Sequence, residues 1–105
     1  MSIQNTTLNP GQAANIFVGT GNTGAATTTM YFCNRDTAPR IFNLYAVPAG
    51  FIANSNNIIY SSKLIASNDT YIMDTEKLFL GPYDQLQANA NVGNAIVVTI
   101  SSIGI

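Results

Sequence analysis

The sequence predicts an all-β fold, a single β-sandwich of about eight strands with immunoglobulin-like or jelly-roll topology. Three observations lead there. No window of a dozen residues repeats apolar positions at helical spacing, and the many Asn, Thr, Gly and β-branched residues oppose helix throughout. Short runs instead alternate apolar and polar residues. Turn residues separate those runs at intervals of roughly 8–12 residues. A chain of 105 residues suffices for one hydrophobic core, with no linker or internal repeat dividing it.

Taken in order, residues 1–26 read as an N-terminal arm with a first strand, "NIFVGT", that reaches a neighbouring subunit; residues 27–105 read as the sandwich core. The segment "GTGNTGAA" is Gly-rich but precedes a Thr-rich strand. A phosphate cradle needs a helix N-terminus beside it, so this is a flexible loop. "TTTMYFCN" is the next strand. "RIFNLYAVPAG" is apolar on both faces, with Phe42, Leu44 and Ala46 on one and Ile41, Tyr45 and Val47 on the other. Such a strand is central in its sheet or covers an interface. Pro48 ends it, since proline cannot donate to the ladder.

The loop "PAGFIANSNN" carries two apolar residues, Phe51 and Ile52, among turn formers. "IIYSSKLIA", "TYIMD" and "KLFL" follow as strands. In "DQLQANAN", Leu86, Ala88 and Ala90 point inward, opposite Gln85, Gln87, Asn89 and Asn91. In "AIVVTISSIGI", Ile96, Val98 and Ile100 share the inward face. The short Gly-containing link between these two strands predicts a hairpin.

Composition narrows function. Only 9% of residues are charged, against roughly a quarter in ordinary soluble domains. Arg35, Arg40, Lys63 and Lys77 are scattered and the net charge is −1, which excludes a nucleic-acid footprint. With 47% hydrophobic residues and so little charge, the chain is weakly protected against self-association, and an oligomer or assembly subunit is expected. No histidine is present, so the Ser-His-Asp triad and the commonest general base are missing. The single Cys33 permits no intrachain disulfide and sits in a strand as a buried thiol. No apolar run approaches a membrane span, and "MSIQNTTLNPG" lacks signal-peptide regions, so synthesis and use from a cytoplasm are expected.

Four of the five acids, Asp69, Asp74, Glu76 and Asp84, fall in "NDTYIMDTEKLFLGPYDQLQA". A calcium loop places oxygen ligands at alternate positions, and here the pattern breaks after Asp74 and Glu76. A glycosidase pair is disfavoured by the absence of a tryptophan platform. Each acid is instead placed at a strand end or turn, where Asn and Asp side chains bond their own backbone. The expectation is no enzyme, no metal and no cofactor. The five tyrosines are read as core or interface residues, four of them in strands.

"YFCNRDTAPRIFNLYAVPAG", "NNIIYSSKLIASNDTYIMDTEKLFLGPYDQLQANA" and "VVTISSIGI" together resemble small β-sandwich virion proteins of tailed bacteriophages. The resemblance covers about two thirds of the chain and rests on patterns of strands and turns; it carries no catalytic residues. It implies a virion structural protein made in a host bacterial cytoplasm. The leading form is a capsid cement or decoration subunit, and the alternative is a tail, neck, baseplate or fibre component, with a receptor- or glycan-binding module among its forms. Expected partners are further copies, as in a trimer, and other virion proteins such as the major capsid protein, with no nucleic acid and no membrane. The candidate contact residues are Leu8 and Ile16 in the N-terminal segment, Ile41, Tyr45 and Val47 on the outward strand face, and Phe51 and Ile52 in the loop.

Overall fold

Among the described residues nine strands form, most of them where β-branched and aromatic runs fall: β1 (Ser2–Thr7), β2 (Ala14–Val18), β3 (Ala25–Asn34), β4 (Arg40–Val47), β5 (Ile58–Ile65), β6 (Thr70–Met73), β7 (Phe79–Leu80), β8 (Gln85–Ala90) and β9 (Ile96–Gly104). The structure, a computed structural model, describes residues 2–19, 23–74 and 77–104. Every strand pair is antiparallel. The pairs β1·β9, β2·β8, β3·β6 and β4·β5 match early strands to late ones from the outside inward, as in one long hairpin. Adding β3·β9 and β4·β8 wraps that hairpin into two layers, β1-β9-β3-β6 and β2-β8-β4-β5, with the short β7 on β3. This strand order is a jelly roll, which decides between the two topologies the sequence left open.

The predicted alternation places the core. Leu86, Ala88 and Ala90 of β8 and Ile96, Val98 and Ile100 of β9 are all buried. They belong to opposite layers, however, so the expected β8–β9 hairpin does not form; residues 91–95 cross between sheets. Period-two patterning identifies which face of a strand is buried and says nothing about which strand lies beside it. Phe32 of β3 stacks on Phe42 of β4 across the layers, with ring centroids 4.3 Å apart and planes 10° from parallel. At the β5/β6 side of the sandwich, the Tyr60 and Tyr71 hydroxyls meet at 2.7 Å and latch one sheet to the other. Lys63 lies over the Tyr71 ring, its Nζ 4.6 Å from the centroid.

Two further expectations change. β1 was not expected, because "SIQNTT" has no apolar alternation; it is an edge strand, mostly exposed, held in register by β9. The N-terminal segment is also no arm, since β1 and β2 are integral to the two sheets. Leu8 and Ile16 are in the core cluster, each no more than 2% exposed, and so are occupied within the chain. The physical reason is the long-range pairing: the Leu8 N–H donates to the Ile96 carbonyl at 2.9 Å, seating Leu8 between the layers.

Candidate interaction surface

The jelly-roll connections place the loops at two ends. One end collects the segments between β1 and β2, β3 and β4, β5 and β6, and β8 and β9. Its keystone is Asn34, fully buried, whose amide nitrogen donates to the carbonyls of Ala38 (2.9 Å), Ile65 (3.1 Å) and Ala66 (3.2 Å). The Asn34 amide oxygen accepts the Asp36 N–H at 3.0 Å, so one side chain satisfies the main chain of two loops. Arg40 bridges Asp36 at 2.7 Å here. That hydrogen-bonded guanidinium, helped by the Thr37 N–H, holds the Asp36 carboxyl below its ordinary value.

The opposite end collects the β2–β3 and β4–β5 loops and the chain from β6 through β7 to β8. Asp84 ties them together. Its Oδ1 accepts the Ala49 N–H and its Oδ2 the Gly81 N–H, each at 2.9 Å. Its carbonyl accepts the Gly19 N–H at 2.8 Å, and the Gly19 carbonyl in turn accepts the Tyr83 N–H. Gly19 and Gly24 are required by close approach: a Cβ at either would run into the backbone carbonyl of Gly81 or Leu80 respectively, and Gly24 also has φ +87°. The Gly-rich segment thus serves tight backbone packing at both of its edges; residues 20–22 of the expected flexible loop lie outside the described residues.

The β4–β5 loop is braced by its own amides. Asn57 Nδ2 donates to the Ile52 carbonyl at 2.9 Å and Asn54 Nδ2 to the same carbonyl at 3.2 Å. The Asn54 N–H donates back to Asn57 Oδ1 at 3.0 Å, and the Phe51 N–H closes a turn on the Pro48 carbonyl. The run "NSNN" is therefore a scaffold, and it presents Phe51 and Ile52 to solvent at 66% and 69% exposure. At the same end, Phe79 is 75% and Tyr83 63% exposed. Beside them is a pocket of about 150 Å³ lined by Val47, Pro48, Phe79, Leu80, Asp84 and Leu86, among others.

Of the seven contact residues expected from sequence, only Phe51 and Ile52 lie on this surface as exposed groups. Val47 is 1% exposed and forms pocket wall, a correction to its placement on an outward face: it lies where Pro48 and the β7 segment close over the end of β4. Ile41 and Tyr45 are half-buried in β4, and Ile41 sits toward the far end, where its carbonyl accepts the Asn91 N–H. Phe79 was missed, because "KLFL" reads as an ordinary strand when only two of its residues pair with β3.

The acids fall out as follows. Asp69 Oδ1 accepts the Thr70 N–H at the start of β6, Asp74 follows β6, and Asp84 clamps loops. Glu76 lies outside the described residues. Among the described residues no three His, Cys, Asp or Glu side chains converge as a metal site. Of the described charged residues, Arg40 and Lys63 are in strands and the others in the connections. The second sheet instead bears an amide row, with Asn43 Nδ2 donating to Asn89 Oδ1 at 2.8 Å and Gln87 Nε2 to Gln85 Oε1 at 2.6 Å.

No protein-family model, curated protein or solved structure matches the chain.

Proposed function

We propose that this protein is a structural subunit of a bacteriophage virion, a capsid cement or decoration protein that docks through the loop end bearing Phe51, Ile52, Phe79 and Tyr83. The observation that carries the reading is the state of that end: four large apolar side chains, each more than 60% exposed, on hydrogen-bonded loops and the short strand β7. Large exposed apolar groups gathered together mark binding sites. Loops ordered in advance lose little conformational entropy on docking. The adjoining pocket, of about 150 Å³, has room for a single apolar anchor from the partner. Scarce charge assigns the affinity to apolar burial, in keeping with a permanent assembly. The sequence resemblance to tailed-phage virion proteins supplies the kind of assembly.

The test is Phe51→Asp combined with Ile52→Asp. Both side chains face solvent, so the melting temperature should stay close to that of the unaltered protein while incorporation into particles falls. Normal incorporation would overturn the docking assignment. The three exposed aromatics at this end also favour a second reading, a glycan- or receptor-binding fibre module. Loss of glycan binding on Phe51→Ala and Tyr83→Ala, with particle incorporation intact, would select that reading.

A further inference from the structure

We propose that β1 is the seam of a homodimer, in which two copies pair β1 against β1 antiparallel and fuse their first sheets into one continuous sheet. The proposal uses a different surface from the docking end and stands independently of the virion reading.

It begins with where β1 directs its main chain. The Leu8 N–H points at β9, donating to Ile96. In an antiparallel ladder the direction alternates residue by residue, so Thr6, Gln4 and Ser2 face β9 as well. Ile3, Asn5 and Thr7 therefore turn their N–H and C=O groups to the open edge. Among the described residues nothing bonds to those groups.

An open edge is ordinarily protected, and the other three edges of this sandwich are. β6 is only four residues long. β5 is broken by two register shifts against β4, carries Lys63, and has Ser62 in left-handed geometry at φ 54°. β2 is bulged between Asn15 and Phe17, and the Ile16 carbonyl at that bulge is capped by Gln4 Nε2 at 3.0 Å. β1 alone has none of these devices. It pairs with β9 without a register shift over all six residues and contains no charge and no proline.

A strand that pairs antiparallel with its own copy meets only its own residues, so a charge near the axis would lie beside a like charge. With no Lys, Arg, Asp or Glu, β1 brings none. A two-fold axis perpendicular to the sheet keeps each face on its own side, so paired residues must have equal parity. The register with Asn5 opposite Asn5, and Ile3 opposite Thr7, is the one in which every outward N–H on either strand finds a carbonyl. The neighbouring outward row, Asn5, Thr99, Tyr31 and Ile72, is uncharged too, so the joined sheet brings no repulsion across the axis. Recognition is by strand addition, with the main chain supplying the contacts. The seam is short, so the dimer should be concentration-dependent.

The experiment is analytical ultracentrifugation of the full chain and two variants over a concentration series. The unaltered protein should approach twice its 11.2 kDa monomer mass. Asn5→Pro deletes an N–H that faces the open edge and keeps the main-chain ladder to β9; Asn5→Lys sets two like charges on the axis; both remove the 2.9 Å contact of Asn5 Oδ1 with the Thr99 hydroxyl. Each should weaken dimerisation by about tenfold or more, the proline by losing one interstrand hydrogen bond from each strand and the lysine by like-charge repulsion, with little change in far-UV circular dichroism. Should the proline variant misfold, the lysine variant carries the test, and its dimerisation should recover as salt screens the charges. A monomer at every concentration would overturn the proposal. So would a dimer that both folded variants leave unchanged, or one abolished by Phe51→Asp and Ile52→Asp, since the seam would then lie at the loop end.

Discussion

Replacing Asp84 with alanine should loosen the loop end that bears Phe51 and Phe79 without touching the core. The side chain accepts two main-chain N–H groups, from Ala49 and Gly81, each at 2.9 Å. Hydrogen bonds to a charged acceptor contribute about 1.5–3 kcal/mol each when shielded. Asp84 is only half-buried, so water replaces part of what is lost, and the summed cost should be about 2–3 kcal/mol. For a domain of this size that corresponds to a fall in melting temperature of about 10–20 °C. Thermal denaturation followed by circular dichroism reads it directly. Asp84→Asn keeps one acceptor oxygen and should fall between the two. A second readout is local: amide exchange at Ala49 and Gly81 should accelerate in the alanine variant, while amides in β9 track only the global loss. An unchanged melting temperature, or acceleration spread evenly over the sandwich, would refute the role given to Asp84.

Further outcomes follow from other contacts. Phe42→Ala removes a fully buried ring stacked on Phe32 and should cost about 3–5 kcal/mol, seen as a large drop in the urea midpoint. Tyr71→Phe deletes the 2.7 Å hydroxyl contact with Tyr60 while keeping the ring, so only about 1 kcal/mol should be lost. Gly19→Ala forces a methyl group against the Gly81 carbonyl and should destabilise the same end as Asp84→Ala, with the two effects less than additive because they share Gly81. The Asp36 carboxyl is held below its ordinary value of 3.8, so its contribution is full above that pH and fades as pH falls through the depressed value. Asp36→Asn should therefore lower the melting temperature slightly at pH 6 and leave no difference in strong acid.

The sequence revealed the fold wherever one face of a strand was apolar throughout. β8 and β9 were legible for that reason, down to Leu86, Ala88, Ala90, Ile96, Val98 and Ile100. β1 was not, because an edge strand buries little and needs no pattern. Pairing was misread where it depends on distant partners: β8 and β9 are adjacent in sequence but lie in different sheets, and Leu8 owes its burial to Ile96. At the loop end held by Asp84, Phe51 and Ile52 showed themselves as apolar residues stranded among Gly, Pro and Asn. Asp84 and Asn34 showed no such signal. Each is one polar residue at a strand boundary, and what makes it a clamp is the convergence of loops from separate parts of the chain.

The claim that most needs a direct answer is that this chain is built into a phage particle in many copies. Quantitative protein stain or mass spectrometry of purified particles counts the copies. A cement or decoration subunit should be present in hundreds of copies per particle and remain with the heads when tails are separated. A chain found in a few copies on the tail would contradict the cement assignment, and one absent from particles would contradict the account as a whole.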